Sequence, residues 1–202
     1  MKPGPHPYQE ISLSTAGLVL GLFLVVLYGV MLAKAESSRE VAKKLPRNSQ
    51  VGTYLMGIGM VWFWLLVAPP GKGMFSALTM DLGEFNKVKK YLVIGVPLFC
   101  IGMIMYVREF LFVRGLGLCL LMAAAPLLYA ADFERASFQW VMPLFCYLMI
   151  IKGLYFVGMP YLFRDGVDWA TASAGRWRGL LTAGVVMGVI FITLGLTAWR
   201  GY

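Results

Sequence analysis

The chain has 202 residues, of which 59% are hydrophobic and only 14% charged, against roughly 45–50% and about 25% in soluble domains. Its mean hydropathy is +0.73, and the charges gather between long apolar runs, which excludes a soluble globular domain, a coiled coil, a disordered chain and a disulfide scaffold. The net charge of +8 belongs to basic residues at the ends of those runs, where they meet anionic lipid, and implies no nucleic-acid partner.

A helix crosses a hydrocarbon layer of about 30 Å with about 20 apolar residues. Six stretches meet that requirement, so the chain reads as an all-α integral membrane protein. The expected architecture is a single polytopic domain over 1–202, a bundle of six transmembrane helices plus one interfacial amphipathic helix. Residues 1–11 hold Pro3, Pro5 and Pro7 and form an extended lead-in. Span one covers 13–33. Ala33-Lys34-Ala35 after it resembles a signal-peptidase site, but the long apolar run, with only Lys2 basic ahead of it, argues that the segment is retained. The connection that follows carries Lys34, Arg39, Lys43, Lys44 and Arg47 against Glu36 and Glu40. Ser37 and Glu40 have capping-box spacing and Pro46 stops the run, which predicts a two-turn surface helix.

Span two covers 51–68 and stops at Pro69-Pro70-Gly71. Phe75, Leu78, Leu82 and Phe85 then recur at helical spacing among polar residues, the pattern of a helix lying in the interface; the bland alternative is a loop with incidental hydrophobes. Span three covers 91–107 and span four 110–130, with Arg108 and Arg114 as interfacial anchors whose long stems lift the guanidinium to the headgroups. Asp132, Glu134 and Arg135 form a polar turn before span five, 138–163. Arg164, Asp165, Asp168, Arg176 and Arg178 fill the last loop, and span six is 179–199. With the N-terminus outside, ten basic residues fall on the inner side and seven on the outer; the excess sets that orientation, in a bacterial cytoplasmic (inner) membrane.

Pro97-Leu98-Phe99-Cys100 in span three recurs as Pro143-Leu144-Phe145-Cys146 in span five, with Met103-Ile104 matching Met149-Ile150. The match is either a parallel repeat of two-helix units or a product of biased composition. Pro97 and Pro143 are expected to kink their spans.

Lys152 is the sharpest residue. Span five is centred near position 150, so the ammonium lies close to the midplane, where insertion costs roughly 2.5–3.5 kcal/mol. None of the ten acidic residues lies within a span, so the amine is a candidate binding charge whose counter-charge comes from outside the chain; the bland alternatives are helix tilt towards water or bonds to backbone carbonyls. A Schiff base lacks a midplane carboxylate to balance it. His6 is the only histidine and precedes span one, which leaves no paired haem ligands and no metal site. Cys100, Cys119 and Cys146 read as small buried hydrophobes. No serine or cysteine in a span has a histidine near it, and phosphate-cradling glycine motifs are absent, which argues against autonomous catalysis.

Gly17 and Gly21, and Gly184 and Gly188, each form a G-x-x-x-G face on which backbones approach closely, within the chain or between subunits. Trp62, Trp64, Trp140 and Trp199 read as interfacial anchors. Together these features predict a non-catalytic membrane subunit that packs against and positions other integral membrane subunits, with a respiratory or other energy-transducing complex as the candidate setting. It would hold no cofactor alone, while anionic or bound lipid is compatible with its surface. The alternative is a small transporter or channel for an anionic or weak-acid solute that uses Lys152.

Overall fold

Ser12 opens the first helix. Its hydroxyl accepts the N–H of Thr15 at 3.2 Å, satisfying one of the donors that a helix N-terminus leaves free, and α1 (Leu13–Ala33) follows over the interval read from sequence. The computed structural model describes residues 6–67, 79–80, 82–106, 109–131 and 136–201. Among these no strand occurs. The remaining elements are α2 (Ala35–Lys44), α3 (Ser49–Val67), α4 (Lys89–Tyr106), α5 (Leu111–Ala131), α6 (Val141–Gly158), α7 (Pro160–Thr171) and α8 (Ala174–Leu196). Among the described residues six helices are long and apolar enough to cross a membrane: α1, α3, α4 with the turn that precedes it, α5, α6 and α8. Their length and composition are those of an integral membrane protein.

Two expectations are corrected, and a third falls mostly outside the described residues. Span five does not run to residue 163: α6 ends at Gly158, Met159 leaves the helical region (φ −130°, ψ 66°), and Pro160 starts α7. Pro160 has no N–H to return to the carbonyl one turn back, and its fixed φ suits the first position of a new helix. Consequently Arg164, Asp165 and Asp168 lie on a helix rather than in a loop. The Ser37–Glu40 pair does not start α2, which begins at Ala35; instead the Ser38 hydroxyl donates to the carbonyls of Met31 (2.9 Å) and Ala35 (3.0 Å) and stitches α2 to the end of α1. Most of the interfacial helix expected over 75–85 lies outside the described residues. Its described end, Gly83–Val88, is a tight 3-10 turn leading straight into α4, with Phe85 exposed.

Glycine decides how the spans pack. α1 and α8 run antiparallel, and Gly21 lies directly against Gly188: a Cβ on Gly21 would stand 2.7 Å from the Gly188 carbonyl oxygen, and one on Gly188 2.8 Å from that of Gly21. α5 meets α6 in the same manner at Gly117 and Gly153. α3 lies beside α5 through Gly52 and Gly115, where an added Cβ would meet Phe112 N at 2.5 Å and Met56 N at 2.7 Å. In hydrocarbon, where no hydrophobic effect drives helices together, such close approach supplies the dispersion contacts that hold them. α4 is the exception and rests on the outer side of α3.

The two ends of the bundle are joined differently. At the end where α1 begins, Leu13, Ala16, Ala130, Met142, Phe191 and Trp199 belong to one buried cluster that ties the α1–α8 pair to α5 and α6. At the far end α7 is the bridge. Phe163 on α7 packs its ring against Phe156 of α6 (4.9 Å) and Phe112 of α5 (5.9 Å), while Ala170 on the same helix joins Ala35, Ala42, Trp177 and Leu181. Arg39 of α2 donates to the carbonyls of Thr171 (2.7 Å) and Ala172 (3.3 Å), closing the end of α7 as a basic side chain closes a helix C-terminus.

Candidate functional site

Gly153 sets the orientation of α6. Because it faces α5 backbone to backbone, the next residues around the helix turn away from that contact. Met142 and Cys146 share the buried face, whereas Leu144, Tyr147, Leu148, Ile151, Leu154 and Tyr155 are exposed. Lys152 is also exposed and lies on the flank of this outward face. It shares a stripe with Phe145 seven residues earlier, and Phe145 packs edge-on against Phe191 of α8 at 5.1 Å. Phe145 thus closes the α6–α8 contact near the start of α6. Further along, Lys152 stands open, and Met187 and Leu180 on the corresponding stripe of α8 are exposed as well.

Lys152 makes no hydrogen bond or ion pair with any described residue. Its depth follows from helix geometry: with α6 ending at Gly158, the Cα lies about 9 Å from that end and about 4 Å from the helix midpoint at 1.5 Å per residue. The shortened span brings the amine nearer to the far end than a span running to residue 163 would. Side chains on a helix lean towards its N-terminus, however, and for Lys152 that is the more distant end. Snorkelling to the nearer headgroups therefore works against the direction in which the stem leaves the backbone.

The other residues singled out by sequence fall as follows. Gly17, Gly21, Gly184 and Gly188 all lie in the α1–α8 seam of this one chain; Gly17 faces the Trp199 ring and Gly184 the Tyr28 ring. Trp199 is fully buried, and its indole donates to the Ser137 carbonyl at 3.1 Å, so it is a core residue and not an interfacial anchor. Pro97 lies inside α4. Its missing N–H leaves the Val93 carbonyl without a ladder partner, and the indole of Trp64 on α3 donates to that carbonyl at 2.8 Å. Pro143 stands in the first turn of α6, where a helix tolerates a missing donor. Arg114 is half-buried in the first turn of α5, and Arg108 lies outside the described residues. Cys146 is buried, and the Cys119 thiol donates to the Leu55 carbonyl at 3.4 Å. Among the described residues no three His, Cys, Asp or Glu side chains converge.

Described residues line two hollows, and Lys152 is not part of either. A groove of about 730 Å³ follows α3 past Thr53, Gly57, Val61 and Leu65 and is stopped by Tyr8. There the Trp62 indole donates to the Tyr8 hydroxyl. Burial raises the Tyr8 phenol above its ordinary value of 10.0, and the Trp62 hydrogen bond opposes part of that rise. The second hollow, about 480 Å³, lies between the end of α1, the start of α2 and Arg178.

The outward turn of Lys152 was missed because spacing within one span does not identify its inner face. Gly153 and Gly117 belong to different spans, and only their pairing identifies the inner face. Trp64 is a second omission, detectable by asking which donor could serve the carbonyl that Pro97 leaves free.

The described residues thus form an all-helical fold whose six long apolar helices have the composition of an integral membrane protein, with Lys152 exposed on an outer flank of α6. No family model, curated protein or solved structure matches the chain.

Proposed function

We propose that the chain is a non-catalytic membrane subunit that packs against and positions another integral membrane polypeptide. The observation carrying this reading is the placement of Lys152: an amine at hydrocarbon depth, turned away from its own bundle and without an internal counter-charge. An ionised group in that position is costly to insert, by roughly 2.5–3.5 kcal/mol, and repays the cost only through a partner. A solute path through the bundle calls for the charge to face inward, towards water or a binding cavity; the outward flank favours the subunit reading over transport. The near absence of mass outside the helices supports it too, since partners must then be met within the membrane.

The test is extraction of the tagged chain from its native membrane in mild detergent, followed by native mass measurement. A particle containing a second membrane polypeptide is expected, and a solitary 22.4 kDa species overturns the reading. Lys152→Ala separates the rivals: loss of the co-purifying polypeptide supports the subunit, whereas loss of a reconstituted solute flux supports a transporter.

A further inference from the structure

We infer that the exposed face of α6, Leu144, Tyr147, Leu148, Ile151, Lys152 and Tyr155, docks a transmembrane helix of a different polypeptide that carries an aspartate or glutamate at the depth of Lys152. This rests on the subunit reading and names the surface and the chemistry of the partner.

The face is continuous. Leu144, Leu148, Ile151 and Tyr155 follow one another at helical spacing down α6, and all are exposed; a helix lying along them covers the length of the span. An apolar stripe alone is what lipid expects, and it would select no partner. Lys152 changes that, because a helix can present a carboxylate at any depth, whereas an anionic lipid headgroup lies at the membrane surface. The carboxylate that pairs with Lys152 in hydrocarbon must therefore be built into a span. Tyr155, three residues further on and exposed, lies on the adjoining stripe of the helix, and its phenol is available as a second donor for a carboxylate with two oxygens to satisfy.

A second copy of this chain does not fit. All ten acidic residues lie outside α1, α3, α4, α5, α6 and α8, and Glu84 stands at the very end of the turn that extends α4, so no span of the protein offers a carboxylate at the depth of Lys152. A two-fold contact through this face would also bring two copies of Lys152 towards one another, the like-charge juxtaposition that such interfaces avoid. The glycine faces of α1 and α8 are already used within the chain, which leaves the α6 face as the recognition surface with a charge to complement.

The test uses the full chain in phosphatidylcholine vesicles with a labelled Leu/Ala helix bearing one central glutamate, and reads association by energy transfer. Association roughly tenfold tighter than for the same helix with glutamine, equivalent to about 1.4 kcal/mol, is expected, and the preference should vanish in Lys152→Met and survive in Lys152→Arg. Equal binding of the two peptides, or a glutamate preference that persists in Lys152→Met, overturns the inference. In native membranes, a photoreactive phenylalanine in place of Leu148 should crosslink to a span of another polypeptide with an acidic residue within one turn. Crosslinks to a second copy, or to lipid alone, overturn it. If the peptide shows no preference while the native particle still contains a second polypeptide, the subunit reading stands and this surface assignment falls.

Discussion

The α1–α8 seam and the α3–α4 contact solve the same problem by opposite means. In the seam, Gly21 and Gly188 let the two backbones meet directly, and this close packing holds the helices along their length, with one hydrogen bond near the end where the Ser14 hydroxyl donates to the Gly195 carbonyl at 2.8 Å. On α4, Gly95 and Gly102 meet nothing within 4 Å, and Val96 is the buried apolar residue of the helix away from its entry. What fastens α4 is polar: Pro97 withholds a ladder donor, and Trp64 supplies one from α3 to the Val93 carbonyl at 2.8 Å. A proline in a span thus creates an acceptor that must be satisfied in hydrocarbon, and a neighbouring helix that satisfies it gains an attachment without close packing.

The sharpest way to break this contrast is Gly21→Ala. The new methyl meets backbone atoms on α8 and cannot be accommodated by a rotamer change, so a loss of roughly 1–3 kcal/mol is expected, read as a lower midpoint of thermal unfolding in detergent. Trp64→Phe should cost about 0.6–1.7 kcal/mol, the range for an interhelical hydrogen bond in a membrane, and should loosen α4 selectively in amide exchange. Restoring the ladder donor with Pro97→Ala makes the indole redundant, so Trp64→Phe in that background should cost measurably less; equal costs in both backgrounds would show that Trp64 acts by packing. Gly95→Ala lies at the other extreme: with open space around it, the alanine should be neutral or stabilise α4 by up to about 1 kcal/mol.

The smallest expected effect is a pH dependence at Tyr8. Burial raises its phenol above 10.0, so the folded protein holds that proton more tightly than the unfolded chain. The associated stability is present below about pH 10 and is lost as pH rises through the folded value. Alkaline melts of the wild-type chain should therefore decline more steeply above that point than those of Tyr8→Phe.

Six apolar helices were legible because hydrocarbon imposes one requirement on every residue of a crossing helix, and the ends of α1, α3, α4 and α5 lie close to those read from sequence, whereas α8 runs Ala174–Leu196 rather than 179–199 and so carries Arg176 and Arg178 on a helix instead of in a loop. The principal failure, α6, has the same origin. Residues up to Phe163 remain apolar, so hydropathy continued the span through Met159, and the mark of the break was a backbone property of Pro160. The position of Lys152 along its span could be read from sequence, whereas its direction could not, because the direction depends on Gly153 meeting Gly117 from another helix. The glycine spacings in α1 and α8 indicated close approach but not which helices would approach one another.

Because the buried cluster joining α1 and α8 to α5 and α6 lies where α1 begins, while the opposite end is joined by Phe163 and Ala170 of α7 together with Ala42 and Arg39 of α2, the two helix pairs are held by a core at one end and by a two-helix clasp at the other.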